Sequence, residues 1–148
     1  MGFLSNKKIN PNQLINGTYG FVYVNGHKLA NVESMEAKIG LEYEEVDLAE
    51  DTGKHQKYMG WSGTGTMVLK KIDSFVLAMM ADAIKKGELP DIQVVTGVKD
   101  PASVGAERVQ LDEVTFDEVT LMQFEQKTLA KEEIPLKFGD YTLLDLIA

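Results

Sequence analysis

Asp51-Thr52-Gly53 is the triplet with which an acid protease brings two carboxylates around one water, and a single copy in a short chain could serve a dimer. That chemistry needs burial, so that like charges share one proton. Here Glu50 and Lys54-His55-Gln56-Lys57 flank the triplet, a wet and charged setting that leaves carboxylates ionised. His27 and His55 stand apart from each other, and neither has an acid or a second histidine at metal-ligand spacing. Gly63-Thr64-Gly65 lacks the third glycine, the lysine and the following helix of a phosphate cradle. Asp112, Glu113, Asp117 and Glu118 alternate with β-formers and lack the loop glycine of calcium motifs, so they read as a solvated or channel-lining acidic face. Cysteine is absent. The expectation is a protein without catalytic residues, cofactor or metal, whose function is carried by a surface.

The elements that would form that surface are mostly strands. Over residues 32–47, Met35, Ala37, Ile39, Leu41 and Tyr43 point one way and Glu36, Lys38 and Glu42 the other, which predicts a long strand in a sheet with one wet side. Residues 18–24 are aromatic and β-branched, and Asn25-Gly26 predicts a two-residue hairpin turn with a return strand over 27–31. Residues 48–60 lose alternation and concentrate charge, predicting a long loop. Alternation returns over 61–70, where Gly63 and Gly65 leave a bare strip for another backbone or a bulky side chain.

One helix is expected over 74–86, with Asp73 at its start, Lys85 and Lys86 in its last turn and Gly87 as its stop. At about 100° per residue its apolar residues Phe75, Val76, Leu77, Met79, Met80 and Ile84 cover roughly 200°. A surface helix needs a stripe only a little over about 100° wide. Either two parts of its own domain sandwich this helix or a neighbouring subunit covers the excess. Strands are expected over 90–99 and 134–138, the latter confined by Pro135 to an edge or bulge, with a loop over 100–105 and a link over 127–130. Asp112-Glu-Val-Thr-Phe116 and Asp117-Glu-Val-Thr-Leu121 nearly repeat at an odd spacing, which predicts a bulge or bend near Asp117. Residues 1–17 read as an arm, and the apolar tail from Tyr141 must dock on something.

A chain of 148 residues, 44% hydrophobic, suits one domain over 1–148. Its net charge of −8 is uneven: residues 1–74 carry 9 acids against 8 bases, and residues 75–148 carry 14 against 7. That balance argues against gripping nucleic acid through its phosphates. No apolar run is long enough for a membrane span, and the start lacks the order of a secretory signal, so synthesis in a reducing cytoplasm is expected. Asn16-Gly17-Thr18 then reads as a turn rather than a glycosylation acceptor.

Asn16-Gly17-Thr18-Tyr19-Gly20, the Asn25-Gly26 turn, Glu36-Ala37-Lys38, Gly53-Lys54-His55-Gln56-Lys57-Tyr58-Met59-Gly60, Gly63-x-Gly65-x-Met67, Gly105-Ala106-Glu107-Arg108-Val109 and the closing residues 141–147 follow one another in a specific order. In this the chain resembles the tail tube proteins of contractile-tailed phages, in the branch that includes the tube protein of the Bacillus defective prophage PBSX. The resemblance spans nearly the whole chain. It implies a mainly β (α+β) fold, a two-sheet β-sandwich or half-open barrel with one flanking helix, shared with type VI secretion tube proteins. It further implies rings of six joined sheet edge to sheet edge and stacked into a hollow tube inside a sheath.

The implied partners are other copies of the chain, tail sheath, tape-measure and baseplate proteins. DNA would pass without specific binding, there would be no membrane insertion, and the chain would be made in a bacterial cytoplasm and assembled into a tail particle. On that reading Glu36, Lys38, Glu42 and Glu44 face the lumen as an acidic wall. Asp51, Lys54, Lys57 and Tyr58, in the 48–60 loop, meet the next ring, and Phe75, Val76, Met79 and Met80 meet a neighbouring subunit. The arm over 1–17 and the tail over 139–148 order on assembly. The rival reading from the residues is a small barrel that holds an apolar ligand between its sheets.

Overall fold

The computed structural model describes residues 11–102 and 105–146. In chain order the strands are β1 (Gly20–Val24), β2 (His27–Lys28), β3 (Val32–Val46) and β4 (His55–Lys70), then the helix α1 (Phe75–Lys86), then β5 (Ile92–Val98), β6 (Glu107–Phe116), β7 (Lys131–Phe138) and β8 (Asp140–Asp145). They form one antiparallel sheet in the order β2-β1-β5-β6-β7-β4-β3, with β8 paired to β6. The first ten residues of the expected arm and the last two of the expected tail lie outside the described residues.

Asn25 (φ 49°) and Gly26 (φ 82°) both take the left-handed conformation that a two-residue hairpin turn requires. The Asn25 side chain also ties this turn to β5, accepting from Gln93 N–H at 2.8 Å and donating to Asp91 O at 3.2 Å. The return strand stops at Lys28 instead of continuing to residue 31, because Leu29 turns into the core, where it is 5% exposed. Upstream, residues 17–19 form a 3-10 turn rather than the start of the strand. Asn16 Oδ1 caps it by accepting from Thr18 N–H at 3.0 Å, so Asn-Gly-Thr is a turn.

The corner that bends the sheet lies in β6. Its residues 108–112 pair with β8, whereas Thr115 and Phe116 pair with β7. Between them the register against β5 shifts, and Glu113 sits at φ 52°. Leu111 and Val114 therefore both point inward although they are three residues apart. The matching break on the other side is Gly139, where β7 turns into β8. Gly139 N–H donates to Asp112 O at 3.2 Å, and a Cβ there would strike the Glu113 side chain. The phase reversal expected near Asp117 is thus taken up four residues earlier, and residues 117–121 are irregular rather than a second strand.

Pro135 lies inside β7, opposite Thr66. Its carbonyl accepts from Asp117 N–H at 2.8 Å, just past the end of β6. A residue's N–H and C=O point to the same neighbour in an antiparallel ladder, so the proline nitrogen faces Asp117, where the β6 ladder ends, and the ladder with β4 loses no bond.

Between the two halves of the sheet lies a core of Val22, Val24, Leu29, Met67, Leu69, Ile92, Val94, Leu111, Val114, Phe116, Ile134, Leu136 and Phe138, closed by Val76 and Met80 of α1. Asp73 Oδ1 accepts from Phe75 N–H at 3.2 Å, and Gly87 ends the helix at φ 73°. Val76 and Met80, expected at a subunit interface, are each 2% exposed in the single chain and belong to its own core. They form the middle of the wide apolar arc, and that middle is what the domain covers. Phe75 stacks on His27 with ring centroids 4.0 Å apart, and Ile84 at the far end of the arc is 50% exposed.

The bare strip on β4 is filled as its spacing predicts. A Cβ at Gly63 would fall on the Phe138 ring, and one at Gly65 would fall on the Glu36 carbonyl and Leu136. Gly65→Ala is expected to destabilise the fold by about 1–3 kcal/mol, because the clash is with backbone that cannot rotate away. Gly17→Ala, with nothing within 4 Å of the added carbon, is the control. Thermal melts of the two variants check this.

Above Gly63 the β3–β4 hairpin has no further strand beside it among the described residues. Pairing nevertheless continues to Val46 opposite His55, which makes a long two-stranded ribbon. The loop expected over 48–60 is therefore corrected: residues 55–60 are strand, and only 47–54 form the tip. The sequence hides this because Met59 is an extra residue. Glu42 faces Gly60 but Tyr43 faces Tyr58, and Gly60 takes φ 148°, so the alternation breaks in mid-strand.

Candidate assembly interface

The β3–β4 ribbon has two unlike faces. Residues directly opposite in a pair share a face, so Met35 with Met67, Ala37 with Gly65, Ile39 with Gly63, Leu41 with Trp61 and Tyr43 with Tyr58 line one side. Low on the ribbon this side is core. Higher up no layer of the described residues covers it, and Ile39, Leu41 and Tyr43 are 38%, 56% and 54% exposed. The alternation of residues 32–47 predicts burial of this face, and in the single chain that burial is missing.

Where the ribbon leaves the core, a cleft of about 820 Å³ opens between Met35, Ala37 and Ile39 on one wall and Val98, Val109 and Leu143 on the other. The sheet does not close across it, and the outer edges of β3 and β8 are both unpaired among the described residues. Ile15 lies at its mouth, held there by Asn16 N–H, which donates to the buried Asp100 Oδ2 at 3.0 Å. The tail is not waiting to order: Tyr141 pairs with Leu111 and Leu143 with Val109, and the Tyr141 ring packs edge-on to Trp61 at 5.5 Å.

The other face is polar. Glu36 stands beside Thr66, Lys38 beside Thr64, Glu42 beside Gly60 and Glu44 beside Lys57. Across β4 the face continues to Glu133, opposite Val68, and Lys137, opposite Thr64. Glu36, Lys38, Glu42 and Glu44 thus share one side, but it is not the uniformly acidic wall expected, because lysines of β3, β4 and β7 alternate with the acids. Lys38 Nζ lies 3.5 Å from Glu36 Oε1, with both side chains well exposed. Lys57, expected in the loop, is on this face as well.

At the tip the Asp-Thr-Gly triplet has a structural role. Asp51 Oδ1 accepts from Gly53 N–H at 2.8 Å, and Oδ2 lies 2.7 Å from His55 Nε2, so both carboxylate oxygens hold the turn. Lys54 pairs with Glu45 at 3.7 Å, and Tyr58 meets Tyr43 edge-on at 6.2 Å. The Gly53 N–H, and then His55, hold the Asp51 carboxyl below its ordinary range. A carboxylate lowered in the folded state stabilises the tip above its unfolded pKa, and the contribution is lost as pH falls through the folded value. The Gly53 amide resonance should therefore move only below the ordinary carboxylate range, and in Asp51→Ala it should neither titrate nor resist exchange; NMR of the amide checks both.

A second surface escaped the sequence reading. Residues 117–130 are irregular, and Leu121, Met122, Phe124 and Leu129 on them are 73–84% exposed. The odd spacing of the near-repeat was the available signal. It implies that the second copy cannot continue the strand, and hence that its apolar residues leave the core.

Unpaired strand edges, an open apolar cleft and a projecting ribbon with an uncovered face, all among the described residues, suit a building block of a larger assembly. Residues 7–145 match the family model described as phage tail tube protein, and the chain belongs to that family. It is 30% identical over 129 residues to the phage-like element PBSX protein XkdM of Bacillus subtilis, covering 86% of this chain and 88% of the relative. Two solved structures share the fold. The anti-feeding prophage tube-terminating cap aligns over 100% of both chains with TM-score 0.74 at 12% identity. A chain of an extracellular contractile injection system, the PVC sheath-tube complex, aligns over 96% of this chain and 95% of its own with TM-score 0.68 at 11% identity. The protein is a structural subunit of the tail tube.

Proposed function

We propose that copies of this chain close into rings, six to a ring as the family resemblance implies, and that the rings stack into the hollow inner tube of a contractile tail. The observation that carries this is the ribbon: its apolar face has core-type residues and no cover among the described residues. Joining the free edges of β3 and β8 to neighbouring copies removes the pairing templates that would otherwise aggregate. The polar face with Glu36, Lys38, Glu42 and Glu44 then lines the lumen. Its interspersed charges present DNA with no positive field to grip.

The ribbon with Asp51, Lys54, Lys57 and Tyr58 reaches the next ring, and the outer parts of α1, Phe75 and Met79, lie against a neighbour. Tail sheath, tape-measure and baseplate proteins are the further partners; the fold shared with the PVC sheath-tube complex supports the first of these. The role is structural and non-enzymatic, since Asp51, the residue with the strongest catalytic pretext, is engaged in a turn. Synthesis in the bacterial cytoplasm precedes assembly into the particle. No described helix is long and apolar enough to cross a membrane.

Electron microscopy of concentrated purified protein is the test, and hollow tubes or rings of uniform diameter are expected. The cleft also has the size of a small-molecule site. A lone subunit that never assembles and carries an apolar compound in native mass spectrometry would establish the rival reading instead.

A further inference from the structure

The sheet register fixes which parts of the molecule lie far apart. β4 runs from His55, opposite Val46 beside the tip, to Lys70, opposite Lys131. At about 3.4 Å per residue a strand of that length separates its ends by roughly 50 Å. The segment 117–130 belongs to the end away from the tip. Lys71 N–H donates to Ala130 O at 2.9 Å, and Ile72, the next residue, is 69% exposed.

Each end therefore carries its own apolar surface. On the ribbon Leu41, Tyr43, Leu48, Tyr58 and Met59 are 51–56% exposed; at the far end are the still more exposed side chains of 121–129. Patches of this kind mark contact sites. Unlike patches at opposite ends suit a head-to-tail contact, which repeats without closing and builds a filament along its axis.

We infer that the segment 117–130 is the socket that receives the β3–β4 ribbon of a copy in the next ring, with Tyr43, Tyr58 and Met59 set against Leu121, Phe124 and Leu129. This rests on the ribbon being the ring-to-ring element and adds the surface it meets. A recess of about 460 Å³ lined by Phe124, Glu125, Leu129 and Lys131 is already present there. Charge agrees with this pairing: Lys54 at the ribbon tip, its side chain 77% exposed, offers a cation, and Glu118 and Glu125 of the socket offer anions. Exposed pairs of this kind set register more than strength. The apolar contact provides the affinity, so stacking should survive moderate salt.

The chain has no cysteine, so introduced thiols report single contacts. Met59→Cys subunits are mixed with Phe124→Cys subunits, assembled and treated with a short bismaleimide. Covalent dimers linked through positions 59 and 124 are expected in the pelleted tubes, and only when both variants are present. Tubes visible by electron microscopy without that link overturn the socket and leave stacking through the ribbon standing. Wild-type protein that forms no tubes overturns the stacking reading itself, and the socket with it. In a second arm, Phe124→Asp with Leu129→Asp removes no core contact. Its circular dichroism spectrum should match wild type, with rings retained and pelletable tubes reduced about tenfold or more. Wild-type tube yield from this pair also overturns the socket.

Discussion

A chain in which residues 43–59 are replaced by Asn-Gly should fold normally and build no tubes. Glu42 and Gly60 face each other across the ribbon, so a two-residue turn can join them in register. Nothing removed belongs to the core, whose upper members on this sheet are Met67, Leu136 and Phe138. Stability should therefore change by less than about 1 kcal/mol. Assembly is a different matter. Burying one large apolar side chain contributes about 1.5–3 kcal/mol, and each 1.4 kcal/mol is roughly a tenfold change in affinity. Losing Tyr43, Tyr58 and Met59 from every contact should raise the concentration needed for tubes by about two orders of magnitude or more. Sedimentation and electron microscopy across a concentration series read this directly. Rings that persist while tubes vanish separate ring closure from stacking; tubes of wild-type length at wild-type concentration would exclude the ribbon as the stacking element.

The contrast between stability and assembly in that variant reflects how the fold divides its labour. Residues 63–69 of β4 lie between two paired strands and alternate strictly between buried and partly exposed side chains, whereas residues 55–60 lie in a ribbon that no third strand flanks among the described residues. The same strand serves the core with one half and, in the proposed tube, its neighbours with the other. Free subunits with such edges and faces gain from prompt burial, and a ring that closes provides it without offering an edge to unrelated chains.

Much of this architecture was legible where local chemistry decides it. Asn25-Gly26 could only be a tight turn, Gly87 a helix stop, and Gly63 with Gly65 a strip awaiting Phe138 and a neighbouring backbone. Pro135 announced an interruption of pairing, and the ladder with β6 does end beside it. Two features were hidden for a common reason, a single residue out of phase, and a third because only packing decides it. Met59 breaks alternation and makes half a strand look like a loop. Glu113 takes up the reversal that the near-repeat seemed to postpone to Asp117. In α1 the composition showed that the apolar arc was too wide for one surface, but only packing shows that Val76 and Met80 take the inside while Ile84 is left out. Of the candidate surface, the four charged residues of β3 follow from period two alone. Lys57 joins them only because the bulge shifts it into register with Glu44, and the lysines of β7 join through strand pairing distant in sequence.

That arrangement makes charge reversal on the polar face the sharpest test of its role. Glu36→Lys, Glu42→Lys and Glu44→Lys together would leave Glu133 as the acid among Lys38, Lys57 and Lys137. These glutamates are exposed and outside the core, so folding and tube formation should persist. The lumen would change from a mixed surface to a cationic sleeve, repeated by every subunit. Each phosphate contact contributes about one unit to the slope of log affinity against log salt. Tubes of the triple variant should therefore co-sediment DNA at low salt and release it steeply as salt rises, whereas wild-type tubes should carry none down at either salt. In a related infectious tail the same changes should slow or stop genome delivery. DNA retention equal to wild type would place this face away from the lumen. The uncovered apolar face and the socket would then have to account for assembly with the polar face turned outward.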